Sequence, residues 1–509
     1  MPLDPDRTDL CLGVIGAGAM GRGIAQVAAQ AGIAVRLFDA RREVAGEAVG
    51  FIAGLFERAT RKGRLDAADA EAALGRIEIA VDDAAFAACH VVVEAIAEDL
   101  EAKRALFARL DGVVDEDCIL ATNTSSLSVT AIAAGSRRPG RLAGYHFFNP
   151  VALMKVVEVI RGALTDPWVI DALSGIARRM GHLPVETVDM PGFLINHAGR
   201  GLGTEGLRIV QEGIAGFADV DAVLREAVGF RMGPFELMDL TGLDVSQAVM
   251  ESIYAQFYNE PRFRPSPMTR QRVAAGLLGR KSGRGFYDYV DGKLQAPPAP
   301  EVPEPEGLPI WVSPAHGRRT IKLMRLLDTL DIAVEEGESP SAAAVCLVAP
   351  LGMDATTSAV REGLDASRTL AVDTLFGLER RRTLMTTSLT RPDARRAAHA
   401  ALAGDGTPVT IINDSPGFVA QRVVATIVNI GCDIAQQKIA TPDIIDRAVT
   451  IGLGYPKGPL RFGDDIGPRR VVEILEAMYA FYGDARYRPS PWLKRRAMLG
   501  VSLATPEHR

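Results

Sequence analysis

The sequence predicts four folded parts in series: an α/β domain, an all-α domain, a degenerate α/β segment and a second copy of the all-α domain. Three observations carry this. Residues 10–40, LCLGVIGAGAMGRGIAQVAAQAGIAVRLFDA, read as strand, glycine turn, helix and strand. Residues 291–309, DGKLQAPPAPEVPEPEGLP, hold six prolines and few side chains that pack, so they read as an extended linker. Words from before that linker then return after it at near-constant spacing. A chain of 509 residues is also too long for a single core.

The apolar run 10–15 suits a strand buried on both faces. Gly16-x-Gly18-x-x-Gly21 follows, and each glycine has a reason: a tight turn, close backbone approach to a pyrophosphate, and close packing of helix on strand. The next helix would aim its amide-rich N-terminus at the phosphates. Asp39 closes the second strand, where a carboxylate accepts hydrogen bonds from an adenosine ribose. This context makes the first domain Rossmann-like. A carboxylate at Asp39 would repel a 2′-phosphate, so NAD is expected over NADP, with Arg41 and Arg42 read as solvated. HVVVEAIAED (90–99) is a further strand with carboxylates at its end, and DCILATNTSSLSVTAIA (117–133) is a strand, a polar turn and a helix. Ligands sit at the carboxyl ends of such strands, which places Glu98, Asn123, Thr124, Ser125 and Ser126 well. The competing reading makes Ser125 or Ser126 a helix cap.

In GYHFFNPVALMKVVEVI (144–160), His146 leads into the Asn149-Pro150 turn, and MKVVEVI alternates as a strand carrying Lys155 and Glu158. A lone buried histidine is usually a satisfied core residue, and a lone strand glutamate usually faces water. Together they form a pair in which a carboxylate fixes one ring nitrogen and raises the basicity of the other.

GAGAMG, VVEAIAED, TNTSSL, YHFFNP, VVEVI and PGFLIN occur in this order and resemble the NAD-dependent L-3-hydroxyacyl-CoA dehydrogenases. The resemblance runs from about residue 10 to 290 and takes in GRKSGRGFYDY (279–289). It implies His146 as catalytic acid/base, Glu158 as its orienting partner, and Ser125 and Asn196 as hydrogen-bond donors to the substrate 3-oxygen. It also implies NAD contacts from Gly16, Gly18, Gly21, Asp39, Glu98, Lys103, Asn149 and Lys281, and a coenzyme A contact from Lys62. Lys62 reads equally as part of a solvated helix face. The family follows this asparagine with arginine, whereas here Asn196 precedes His197, read as structural.

The implied domains are 1–187 (NAD-binding), 188–290 (helical), the linker 291–309, 310–405 (degenerate α/β) and 406–509 (second helical copy). DMPGF (189–193) returns as DSPGF (414–418) and GPFEL (233–237) as GPLRF (458–462), both shifted by 225; RPSP (264–267) returns at 488–491, shifted by 224. The chemistry does not return. At the same shift Asn196 falls on Gln421, Glu158 on Thr383 and His146 on Ala371, and no second GxGxxG occurs. One active site per chain is therefore expected, with the second helical copy as a packing partner that permits a monomer with an internal pseudo-dimer or a homodimer. This architecture resembles longer bacterial members of the family, including those acting on 3-hydroxyadipyl-CoA or 3-hydroxybutyryl-CoA.

Composition narrows the function classes. The net charge of −6 is spread along the chain, so a nucleic-acid partner is not expected. No apolar run approaches the ~20 residues of a membrane span, and MPLDPDRTDL lacks a signal-peptide pattern. Cys11, Cys89, Cys118, Cys346 and Cys432 lie far apart and read as reduced thiols, with no metal site. A cytoplasmic enzyme acting on an acyl-CoA is the leading expectation. A free hydroxy-acid dehydrogenase of the gulonate or carnitine type and a non-catalytic NAD-binding protein are the alternatives.

Overall fold

The structure is a computed structural model that describes residues 3–298 and 300–507. Met1 and Pro2 of MPLDPDRTDL, Ala299 of the linker, and His508 and Arg509 of the second helical copy lie outside the described residues. The chain forms two compact units: the first runs to His197 and takes in Lys438–Leu453, and the second holds Ala198–Gln437 and the chain from Gly454 onward.

The first unit is built on eight strands: β1 (Cys11–Ile15), β2 (Ala34–Phe38), β3 (Ile77–Ile79), β4 (Val91–Glu94), β5 (Ile119–Thr122), β6 (Leu142–Phe147), β7 (Val156–Arg161) and β8 (Leu183–Val188). Their order is β3-β2-β1-β4-β5-β6-β7-β8. All neighbours are parallel except β6 and β7, which are antiparallel and joined by a short connection with no crossover helix. Helices α1 (Ala19–Gln30), α2 (Arg42–Arg61), α3 (Ala67–Gly75), α4 (Leu100–Leu110), α5 (Val129–Ala133) and α6 (Pro167–Arg179) flank the sheet. Alternate residues of β1 feed opposite cores: Leu12 and Val14 pack with Ile24 and Leu173, while Cys11 and Ile15 pack with Phe107 and Val129. A strand buried on both faces reads as an unbroken apolar run for this reason. The short α7 (Ile195–Ala198) ends this part of the unit.

The second unit opens with α8 (Arg200–Gln211), α9 (Phe217–Ala222), which runs on as a π-helix over 223–228, α10 (Pro234–Thr241), α11 (Leu243–Gln256) and α12 (Pro267–Ala274). The linker starts later than 291. β9 (Asp288–Val290) and β10 (Lys293–Gln295) pair antiparallel around Asp291-Gly292, both at positive φ. Asp-Gly is a strong hairpin signal that the flanking prolines outweighed in the sequence reading. A five-stranded sheet follows: β11 (Ile310–Val312), β12 (Val345–Val348), β13 (Thr369–Val372), β14 (Arg382–Thr386) and β15 (Val409–Ile412), in sequence order and antiparallel only at β13–β14. It carries α13 (Arg318–Thr329), α14 (Ala355–Glu362) and α15 (Pro392–Leu402). Order and direction repeat those of β4–β8, without the strands that carry the glycine turn.

The helices α16 (Ala420–Gln436), α17 (Pro442–Leu453), α18 (Pro459–Ile466), α19 (Pro468–Tyr482) and α20 (Pro491–Leu499) complete the chain. Of these α17 belongs to the first unit, where it packs on β7 and β8; Thr187 Oγ1 donates to the Ile439 carbonyl at 3.2 Å. Helices α8 and α16 pack together within the second unit. Glu205 of α8 and Arg422 of α16 form an ion pair buried from solvent, which Tyr487 and Arg486 join.

Strand pairing corrects one correspondence. Thr122 pairs with Gly144 as Val348 pairs with Ala371, so the residue two beyond Gly144, His146, corresponds to Asp373 and not to Ala371. His146 and Glu158 lie 12 residues apart and Asp373 and Thr383 only 10, so the connection after β13 is two residues shorter than its counterpart, which a constant shift does not register.

Candidate functional site

His146 lies near the carboxyl end of β6 and stands directly opposite Glu158 of β7 in the antiparallel register. Its Nδ1 is 2.7 Å from Glu158 Oε2. The second carboxylate oxygen, Oε1, accepts the backbone N–H groups of Leu194 and Ile195 at 2.9 and 2.8 Å, where PGFLIN turns into α7. Glu158 is fully buried and His146 nearly so. An unpaired carboxylate in such a place would be costly; two amides and an imidazole make it tenable. The imidazole is flanked by the rings of Phe148 and Phe193 at 4.5 and 5.8 Å. With Nδ1 held on a carboxylate, Nε2 is the nitrogen whose proton can change. The two amides were not singled out in the sequence; PGF followed by a helix is the signal that points to them.

The loop after β5 supplies the hydroxyls. Asn123 Oδ1 accepts the Phe147 N–H at 2.9 Å and so ties this loop to the end of β6. Glu98 Oε1 gathers Thr124 Oγ1 at 2.7 Å, the N–H groups of Ser125 and Ser126 at 3.0 Å each, and Ser126 Oγ at 2.9 Å. Burial works to raise the Glu98 pKa, but the Thr124 hydroxyl, the Lys103 ammonium and the Ser126 hydroxyl hold it below the usual carboxylate value. The helix cap is Ser128, which accepts the Ala131 N–H at 3.1 Å, so Ser125 and Ser126 do not serve that purpose. Asn196 lies on α7, one residue beyond the Ile195 amide that holds Glu158.

Lys103 is buried, with its ammonium 2.5 Å from Glu94 Oε1 and 3.3 Å from Glu98 Oε2. Glu94, missed in the sequence as one acid among several in VVEAIAED, is fully buried; it also accepts Thr122 Oγ1 at 2.6 Å and the Ile96 N–H at 2.7 Å. Lys103 therefore anchors Glu98 from behind.

The glycine turn fits a dinucleotide. Gly16 has φ +99°, and a Cβ there would lie 2.4 Å from the Ala95 carbonyl; one on Gly21 would lie 1.7 Å from that of Gly16. A Cβ on Gly18 would meet no protein atom, which leaves the space before it to a ligand. The first turn of α1 bears no acid. Asp39 accepts the Ala17 N–H at 2.9 Å and the Arg41 N–H at 3.0 Å, joining the end of β2 to the turn. Arg41 and Arg42 are exposed.

Three further residues were expected to contact NAD or coenzyme A. Asn149 is exposed at the cis peptide bond to Pro150. Lys62 lies at the exposed end of α2, and no contact links it to His146. In the second unit Lys281 is paired with Asp244 at 2.5 Å.

The second sheet shows what replaces this chemistry. Asp373 and Thr383 occupy the positions of His146 and Glu158, and Gln421 that of Asn196. Gln421 donates to Asp373 Oδ1 at 2.9 Å and accepts the Gly352 N–H at 3.0 Å. Among the described residues no imidazole joins this cluster. The scaffold is nevertheless kept: Asp189 binds the N-terminus of α5 as Asp414 binds that of α14, and Phe193 and Phe418 share positive φ.

Family models match both helical copies. The 3-hydroxyacyl-CoA dehydrogenase NAD binding domain matches residues 11–190, and the C-terminal domain of the same family matches twice, at 192–289 and 417–503. A 3-hydroxyadipyl-CoA dehydrogenase of Escherichia coli (strain K12) is 38% identical over 96% of this chain and 97% of its own length. A probable 3-hydroxybutyryl-CoA dehydrogenase of Deinococcus radiodurans is 43% identical over 54% of this chain and 99% of its own. The crystal structure of 3-hydroxybutyryl-CoA dehydrogenase from E. coli K12 superposes with a TM-score of 0.86 at 35% identity, covering 97% of this chain and 99% of that one. Matched from end to end, and twice over in its helical part, the chain belongs to the 3-hydroxyacyl-CoA dehydrogenase family.

Proposed function

We propose that this chain oxidises the 3-hydroxyl of a 3-hydroxyacyl-CoA to the 3-oxo thioester at a single site centred on His146. The observation that carries the reading is the His146–Glu158 contact of 2.7 Å, with Glu158 fixed by the Leu194 and Ile195 amides. NAD, when bound along the Gly16–Gly21 turn with Asp39 at its ribose, supplies the hydride acceptor. His146 Nε2 takes the proton of the 3-hydroxyl, and Glu158 stabilises the imidazolium that results. Ser125 and Asn196 hold the oxygen in line, and Lys103 acts through Glu98, which sets the loop that carries Ser125. Asn149 and Lys281 are assigned to the NAD contact and Lys62 to the coenzyme A contact by the family resemblance.

The end-to-end relative named for 3-hydroxyadipyl-CoA favours a dicarboxylic or short acyl chain. Among the described residues no helix is long and apolar enough to cross a membrane. The test is a steady-state panel of 3-hydroxybutyryl-, a medium-chain 3-hydroxyacyl- and 3-hydroxyadipyl-CoA with NAD, run beside His146→Ala. The variant is expected to lose about 10²–10⁴ in kcat with NADH affinity unchanged. Full turnover by His146→Ala would sink the assignment.

A further inference from the structure

Beyond the His146 centre, the second α/β sheet carries a cavity of about 480 Å³ at the carboxyl ends of β12 and β13, which runs between Leu351, Thr374 and Leu375. Parallel strands of α/β sheets present ligand crevices at this end. The other wall is cationic. Arg318, Lys322 and Arg325 follow at spacings of four and three along α13 and share one face; Arg319 of that helix and Arg470 of α19 complete the lining. None of the lining residues is an acid.

Five cations facing one space repel one another unless something balances them. Among the described residues none of the five forms an ion pair. The hydrogen bonds they make go to carbonyls: Arg319 to Ala349 at 2.9 Å, Lys322 to Thr374 at 3.1 Å and Arg470 to Ile466 at 3.1 Å. Arg319 is held below its usual value chiefly by burial, with Arg470 adding to this and Glu473 opposing it. The Thr374 hydroxyl is a second, independent sign: it is buried at the cavity and has no hydrogen-bond partner. Asp373, next in the chain, accepts from Gln421 at Oδ1 and also feels the charge of Lys322, so it is a buried carboxylate set beside these cations. A neighbouring cavity of about 360 Å³ shares Lys322, Thr374 and Leu375 and follows the loop to Arg380. The volume falls within the range of small-molecule sites. Guanidinium forks suit phosphate oxygens, and Leu351, Leu375 and Ile321 offer apolar surface to an organic body.

We propose that this crevice binds a small organic diphosphate, in a site that shares no residue with the His146 centre. The diphosphate has two chemical sources, a free nucleoside diphosphate or the nucleotide end of coenzyme A.

The test titrates the full chain, saturated with NADH, with ADP and with CoA by calorimetry. ADP is expected to bind once per chain. Lys322→Glu combined with Arg325→Glu, both exposed, is expected to weaken it about tenfold or more while NADH affinity stays unchanged. Arg318→Glu combined with Arg470→Glu, drawn from two different helices, is expected to do the same and guards against a local folding defect. CoA binding more tightly than ADP, and falling equally in both variants, assigns the coenzyme; ADP binding more tightly assigns a free nucleotide. No binding of either ligand that the variants weaken overturns the proposal.

Discussion

At the scale of single residues, His146 and Glu158 were legible as a pair because a histidine with a nearby carboxylate suits acid/base chemistry, and the antiparallel register of β6 and β7 sets them opposite one another. What holds Glu158 was not legible, since backbone amides have no letter of their own. Glu94 was hidden for another reason: whether an acid in VVEAIAED faces Lys103 or solvent depends on the sheet neighbours. The same blindness applies to Asp373, which an apparent shift placed two residues from its true register. Burial raises its pKa to about 6, against the hydrogen bonds from Gln421 and Leu375. The native state then binds a proton that the unfolded chain, at about 3.9, has released. Between about pH 4 and 6 this contribution to stability falls as pH rises, and above pH 6 the full penalty of the buried charge remains. Asp373→Asn is therefore expected to stabilise the protein at pH 8 by about 1–3 kcal/mol and to flatten the melting temperature across that window. An unchanged profile would show that the Asp373 charge is tolerated where it lies.

At the scale of elements, the repeat was the most legible feature, because caps and turns keep their letters: Gly-Pro opens α10 and α18, and Ser-Pro opens α12 and α20. The interior of the α8–α16 contact is where the copies diverge. Arg422 of the second copy matches His197 of the first, and Glu205 of the first matches Ile430 of the second, so the pair joins the two copies and its reciprocal positions hold no pair. Arg422 also meets Glu212 at 2.9 Å and the hydroxyls of Tyr482 and Tyr487 at 2.9 and 3.0 Å. Burial works to raise the Glu205 pKa, and the charges of Arg422 and Arg486 overcome this to lower it. Removing Glu205 strands two guanidinium groups in the interior. Glu205→Ala is expected to cost about 3–5 kcal/mol, read as a lowered unfolding midpoint of the second unit. Replacing the pair together, Glu205→Leu with Arg422→Met, is expected to recover much of that loss. If Glu205→Ala melted with the wild type, the network would be ornamental to stability.

At the scale of the molecule, the duplication answers a packing problem that a chain ending at residue 290 leaves open. Gly201 of α8 lets α16 approach so closely that a Cβ there would lie 3.1 Å from Ile427. The β7–β8 side of the first sheet is covered by α17, and a Cβ on Gly452 of that helix would lie 2.7 Å from Ile195. At the shift of 225, residues 217–228 of the first helical copy correspond to α17, and within the second unit they pack on β14, where Arg381 meets Glu226 at 2.9 Å. Each copy thus lends the same helix to a sheet beside a β7-type strand. A relative matched over 99% of its own length spans only 54% of this chain. We therefore expect residues 1–290, expressed alone, to self-associate into a dimer in which each copy supplies α8 and residues 217–228 to the other. The full chain, which provides both surfaces itself, is expected to scatter light as a monomer. A soluble, monomeric 1–290 that retained full activity would mean that the second helical copy covers nothing the first half needs covered.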